Sequence, residues 1–166
     1  MSEGVLIVYA SRCGSTGEVA RAVGQELTAQ DQVVDVRRAQ DAPDPSGYQA
    51  VVVGSAVRFG KWLPEAVEFV KKNQFALGRV PTAFFAVHAW ALDDSPASQR
   101  QRQAYLEPVR RIVTPKREAF FAGKLDLARL SFGERALAKL VRAPDGDLRD
   151  WDAIQGWAQR IVKGLM

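Results

Sequence analysis

Three hydroxyls, a cation, a thiol and a glycine stand in six consecutive residues, Ser11-Arg12-Cys13-Gly14-Ser15-Thr16. They follow an apolar run at 4–9 (GVLIVY) and lead into a stretch with helical apolar spacing. A loop between a buried strand and a helix start presents unpaired backbone N–H groups and the positive end of the helix dipole, which suit a phosphate. Ser11, Ser15 and Thr16 add hydroxyl donors, Arg12 adds charge, and Gly14 lets the backbone approach a ligand closely. A plainer use stays open: Ser15 or Thr16 as a helix N-cap, which employs one hydroxyl and leaves the others idle.

Absences narrow the ligand. No G-x-x-x-x-G-K-S/T is present, which argues against a nucleoside-triphosphate loop, and no G-x-G-x-x-G follows the strand. A phosphorylation receiver needs carboxylates after the first and third strands, where Ala10, Ser11, Gly54 and Ser55 stand. A thiolate phosphatase built on Cys13 needs an arginine six positions later, where Val19 stands. A hydroxyl-rich loop without lysine or metal-binding carboxylates fits a phosphate that is held and not transferred, a cofactor's terminal phosphate as in FMN. Cys13 reads as a small filler or a redox thiol; as the one cysteine it has no resolving partner in the chain and forms no internal disulfide. With one histidine as well, a four-cysteine or Cys/His zinc site is excluded.

The elements that must position this loop are legible. After the strand at 4–9, Val19, Val23 and Leu27 give one apolar stripe on a helix over 16–28. Further strands are expected at 32–37, 48–57, 80–90 and 116–123, with the Pro/Asp-rich DAPDPSGY at 41–48 as loop. Leu63, Val67 and Val70 mark a second helix with Pro64 in its first turn. Tyr105, Val109, Ile112 and Val113 mark a third. A last helix over 149–165 is expected to bury Trp151, Ile154, Ala158, Ile161 and Leu165. Five strands alternating with helices make a doubly wound parallel α/β sheet, read as a single domain over 1–166. Residues 124–147 break the alternation and read as an excursion holding an amphipathic helix with Leu127, Leu130, Leu137, Leu140 and Val141 on its apolar side.

Composition agrees with a globular chain of 166 residues, 47% hydrophobic and 25% charged. No signal peptide or membrane span is legible, so a soluble, cytoplasmic location is expected. The net charge of +4 is uneven: Arg100 to Arg142 holds 11 Lys/Arg against 4 Asp/Glu, a local +7, which leaves −3 for the rest. Such a face suits an anionic partner, or is simply solvated. Few aromatics interleave the basic residues, which disfavours nucleic acid.

YASRCGSTGEVARAV resembles the phosphate loop of the flavodoxin fold, T/S-x-T/S-G-x-T, with Ser11, Cys13, Gly14 and Thr16 on the pattern and Cys13 in place of a hydroxyl. SAVRFGKWLPEAVEFVKKN, FFAGKLDLARLSFGERALAKLV and DLRDWDAIQGWA are similar to a narrower branch of that family. It contains the menaquinone-dependent protoporphyrinogen oxidases of bacteria and related archaeal proteins. The resemblance runs over nearly the whole chain and implies a flavodoxin-like fold, a five-stranded sheet in the order 2-1-3-4-5.

It also implies an FMN oxidoreductase that takes electrons from a porphyrinogen and passes them to a quinone. Ala56, Val57, Arg58, Phe59 and Gly60 after the third strand, and His88, Ala89 and Trp90 after the fourth, would then bracket the flavin ring, with Phe59, Trp62 and Trp90 offering faces for stacking. Arg58 near the pyrimidine end would raise the flavin potential. His88 reads as a hydrogen-bonded structural residue or a proton relay. No side chain is singled out as an obligate acid or base.

Lys124, Arg129, Arg135, Lys139 and Arg142 would meet anionic lipid at the inner face of the cell membrane or a porphyrinogen's propionates. Alternatively the apolar side of the excursion packs on the domain or in a homodimer. Rival functions are an electron carrier or general quinone reductase and a cofactor-free interaction module. Carriers of this fold are typically acidic, which weighs against the first.

Overall fold

The computed structural model describes residues 4–12, 14–125, 131–133, 135–136 and 146–165. Its centre is β1 (Val5–Ala10), whose neighbours β2 (Val34–Arg38) and β3 (Ala50–Arg58) both run parallel to it. Beyond a two-residue strand β4 (Lys61–Trp62), β5 (Thr82–His88) pairs parallel with β3, and β6 (Arg117–Ala122) pairs parallel with β5. The long strands therefore lie in the order β2-β1-β3-β5-β6, the doubly wound arrangement expected. The addition is β4, which turns back antiparallel on the end of β3 and sets Trp62 opposite Val57 and Lys61 opposite Arg58. No apolar run marks so short a ribbon, so periodicity passes over it.

The central strands are continuous apolar runs because helices cover both faces. On one face, α1 (Ser15–Ala29) contributes Val19, Val23 and Leu27, and the C-terminal helix (Trp151–Leu165) contributes Ile154, Trp157, Ala158 and Ile161. On the other lie α2 (Pro64–Lys72), α3 (Gln74–Leu77) and α4 (Pro96–Arg110), with Phe69, Val70, Leu77, Leu106 and Val109 buried. Phe85, Phe121 and Trp157 pack as an aromatic trio with ring centroids 5.6–6.1 Å apart.

Several expectations need correction. Trp151 is 37% exposed and carries the Arg149 guanidinium 4.6 Å above its ring; the tryptophan that the C-terminal helix buries is Trp157. Trp62 is a core residue, edge-on to Phe84 at 5.4 Å, and not an open stacking face. Leu63 precedes α2 as its N-cap, and α4 ends at Arg110, so Val113 reaches the core from the turn beyond it. The loop at 41–48 carries one of two short 3₁₀ turns, Pro45–Gly47, with the Asp44 carboxylate accepting from the Ser46 amide; the other, Ala39–Asp41, ends at its start.

The excursion leaves and returns through an antiparallel ribbon of β7 (Lys124–Leu125) and β8 (Gly146–Asp147). Its expected amphipathic helix, with Leu127, Leu130, Leu137, Leu140 and Val141, lies outside the described residues. No helix among the described residues is long and apolar enough to cross a membrane.

Candidate cofactor site

The chain winds outward from β1 in opposite directions, to β2 on one side and β3 on the other. The crevice beyond the carboxyl ends of these strands is where such sheets place ligands. Here four chain segments meet around a narrow cleft of about 100 Å³. Ser11, Arg12, Ser15 and Thr16 come from the loop after β1, and Ala56, Val57 and Arg58 from the end of β3. Val87, His88 and Ala89 come from the end of β5, and Gly123 and Lys124 from the step between β6 and β7. Thus nine of the sequence-predicted residues share one cleft. Val87, Gly123 and Lys124 were not foreseen as lining, because nothing in their spacing says which strand ends lie side by side.

The first loop is organised as an anion cradle. Gly14 is the N-cap of α1 at φ +87°, a left-handed conformation that a side chain would strain, and no side chain caps the helix. This overturns the reading of Ser15 or Thr16 as N-cap. The helix geometry leaves its first amides without intrahelical acceptors, and here no capping group takes one. The Ser11 hydroxyl oxygen accepts the Gly14 amide at 2.9 Å, which ties the turn and leaves its own proton free to donate. Thr16 is fully buried, and its Oγ1 has no hydrogen-bond partner among the described residues, a costly arrangement that an anionic oxygen would relieve. These donors fit the terminal phosphate of FMN. Arg12 lines the cleft, and its guanidinium also pairs with Glu65 of α2 at 2.7 Å and holds that carboxyl below the usual range, which fastens the loop to α2. Cys13 lies outside the described residues.

The second loop is a tight two-residue turn between β3 and β4. Phe59 at φ +53° and Gly60 at φ +74° form its tip, and Phe59 is 61% exposed beside the cleft mouth, outside the lining itself. A bulky residue in the left-handed region carries strain of order 1–3 kcal/mol. Ser55 secures the base of this turn, accepting from the Leu63 amide at 2.9 Å and donating to the Ala56 carbonyl at 2.8 Å. At the third loop the His88 Nδ1 lies 2.6 Å from the Trp90 carbonyl, a contact that orients the ring. The Trp90 indole is not among the lining groups, and its buried Nε1 has no partner.

Lys124 lines the cleft from β7, where it pairs in register with Asp147 of β8, a member of a charge cluster. Arg149, whose side chain is 6% exposed, bonds both Asp147 oxygens at 2.7 and 2.8 Å and the Glu18 carboxylate in the first turn of α1 at 2.5 Å. These bonds hold Asp147 down to about 2 and lower Glu18. A depressed folded pKa contributes stability above the unfolded value and loses it as pH falls. Arg149→Met should cost about 1 kcal/mol between pH 5 and 8. The gap to the parent should close between about pH 4.5 and 2 in urea titrations; a gap that stays constant down to pH 2 contradicts the cluster.

Comparison with known proteins agrees with this geometry. Residues 6–152 match the family model described as flavodoxin domain. Protoporphyrinogen IX dehydrogenase (quinone) of Escherichia coli K12 is 29% identical over 95% of this chain and 93% of its own length. The protein of the same name from Leishmania major is 25% identical over 92% of this chain and 72% of its own. Among solved structures, oxidised Flavodoxin 1 from Bacillus cereus superposes with a TM-score of 0.65 at 13% identity, covering 99% of this chain and 100% of that one. The apo form of the NADH:FMN oxidoreductase EMOB gives 0.62 at 13%, covering 99% and 91%. With the fold, the crevice and a match spanning residues 6–152 in agreement, the chain belongs to the flavodoxin domain family, whose cofactor is FMN.

Proposed function

We propose that this protein is an FMN-dependent oxidoreductase that takes electrons from a porphyrinogen and passes them to a quinone. The observation that carries the reading is the 29% identity to protoporphyrinogen IX dehydrogenase (quinone) of Escherichia coli over 95% of this chain, excursion included. FMN, when bound, supplies reversible two-electron chemistry, and the protein binds, orients and tunes it.

The roles proposed for the chain's own groups follow from their positions. Ser11, Ser15, Thr16 and the first amides of α1 hold the phosphate, with Gly14 shaping the turn. Ala56, Val57, Arg58, His88 and Ala89 flank the ring, while Phe59 and Gly60 stand at its edge. Arg58 and Lys124 are cations lining the cleft, and both favour negative charge there, whether on the reduced cofactor or on a substrate's carboxylates. The basic residues of the stretch 124–142 would supply further cations for the propionates or for an anionic membrane surface on the cytoplasmic side. A flavodoxin-type electron carrier or general quinone reductase is the second reading, favoured by the fold shared with flavodoxins.

The test is anaerobic mixing of the FMN-loaded protein with protoporphyrinogen. The flavin absorbance is expected to bleach and to return on addition of a quinone. Absence of bleaching, with dithionite still able to reduce the flavin, sinks the porphyrinogen reading and leaves the carrier.

A further inference from the structure

His88 is the single histidine of the chain, and it closes β5 with 4% of its surface exposed. It borders two cavities: the cofactor cleft, and a second of about 540 Å³ between α4, the outer edge of β6 and the C-terminal helix. A carbonyl can only accept, so the contact of Nδ1 with the Trp90 oxygen places the ring proton on Nδ1. In the neutral ring the lone pair is then on Nε2, which has no hydrogen bond to any described residue. Tyr105 at 5.5 Å and Phe120 at 6.5 Å between ring centroids fix the ring's orientation.

Burial, more than any neighbouring charge, favours the neutral form of that ring. Burial pushes the imidazole below its ordinary value, the Trp90 hydrogen bond opposes this, and the Arg102 charge on α4 adds to the lowering. Arg102 is itself tied to the Ala91 and Asp93 carbonyls at 2.5 and 2.8 Å. Tyr105, also on α4, is a neutral phenol raised by burial. Glu118 on β6 is engaged by Arg110, and Asp94, Asp150 and Arg160 complete the charged lining of the second cavity.

Electrons entering a poorly solvated cleft bring negative charge that a proton can offset. Arg12, Arg58 and Lys124 bring cations to the cleft, and Ser11, Ser15 and Thr16 bring hydroxyls. Among the described lining residues, His88 is the one whose side chain has an ordinary pKa near neutrality. We propose that His88 is the redox-linked proton acceptor of this site, taking one proton on Nε2 when the cleft is reduced and releasing it on reoxidation. One N–H bond forms to a proton from solvent by way of the second cavity, the reductant's electrons stay on the cofactor, and no other bond changes. The inference holds whichever donor supplies the electrons.

A lone histidine can be followed by imidazole NMR without further assignment. In the FMN-loaded protein the oxidised state is expected to show the Nδ1–H tautomer. Dithionite reduction is expected to raise the imidazole pKa by at least about one unit, a tenfold change in proton affinity. The flavin potential plotted against pH should change slope at that pKa, and His88→Asn should remove the break. An imidazole pKa identical in both redox states, or a neutral ring protonated on Nε2, overturns the proposal, and the wild-type spectra decide this even where the variant folds poorly.

Discussion

Gly54→Ala is expected to cost about 1–3 kcal/mol or more, a large share of the stability of a domain this size. Gly54 sits in β3 opposite Phe85 of β5, and a Cβ built there falls 1.9 Å from the Phe85 Cζ. Phe85 is fully buried, and Phe121 and Trp157 hold its ring at 6.0 and 6.1 Å. The ring therefore cannot swing aside without opening the aromatic trio, and the strand cannot shift without breaking its register to β1 and β5. Urea unfolding followed by tryptophan fluorescence reads the loss. Gly54→Ala/Phe85→Leu should be more stable than the two single losses summed, by about 1 kcal/mol or more, because the smaller side chain vacates the contested space. A single-variant loss under about 1 kcal/mol, or strict additivity, contradicts this packing.

The second large effect is on the cofactor. Ser11→Ala combined with Thr16→Val should weaken FMN binding by at least about 100-fold, since hydrogen bonds to a charged acceptor are worth about 1.5–3 kcal/mol each. The two substitutions act differently on the free protein. Ser11→Ala also releases the Gly14 amide and loosens the turn. Thr16→Val keeps the volume and removes a hydroxyl that is buried without a partner, so on its own it should leave the cofactor-free protein as stable as the parent or slightly more so. Fluorescence titration of FMN and thermal unfolding of the cofactor-free protein separate the two. A Thr16→Val protein that loses stability without FMN and keeps its FMN affinity places that hydroxyl in the fold and not in the site.

The sheet was legible because a strand buried on both faces must be apolar throughout, as in GVLIVY and YQAVVVGSAV. The loop after β1 was legible for the opposite reason, since its polar residues are more numerous than a turn requires. What escaped depends on contacts between distant segments. Trp151 shares the apolar stripe of the last helix in sequence, yet Arg149 two residues earlier lies over its ring and keeps it at the surface. That Arg12 also has an acidic partner could not be read from the loop, because Glu65 comes from α2. Lys124 reads as one more charge of a basic segment, and only the step from β6 into β7, paired with β8, brings it to the cleft. That the Phe85 ring fills the space over Gly54 is likewise invisible in a lone glycine within a valine-rich strand.

Whether the loop at 11–16 cradles a phosphate is read most directly by comparing FMN with riboflavin, which has the same ring and no phosphate. The wild-type protein should bind FMN at least about 100-fold more tightly than riboflavin, and Ser11→Ala/Thr16→Val should reduce that preference to a few-fold by weakening FMN alone. Equal affinity of the wild-type protein for the two flavins would place the phosphate away from this loop and contradict the site described.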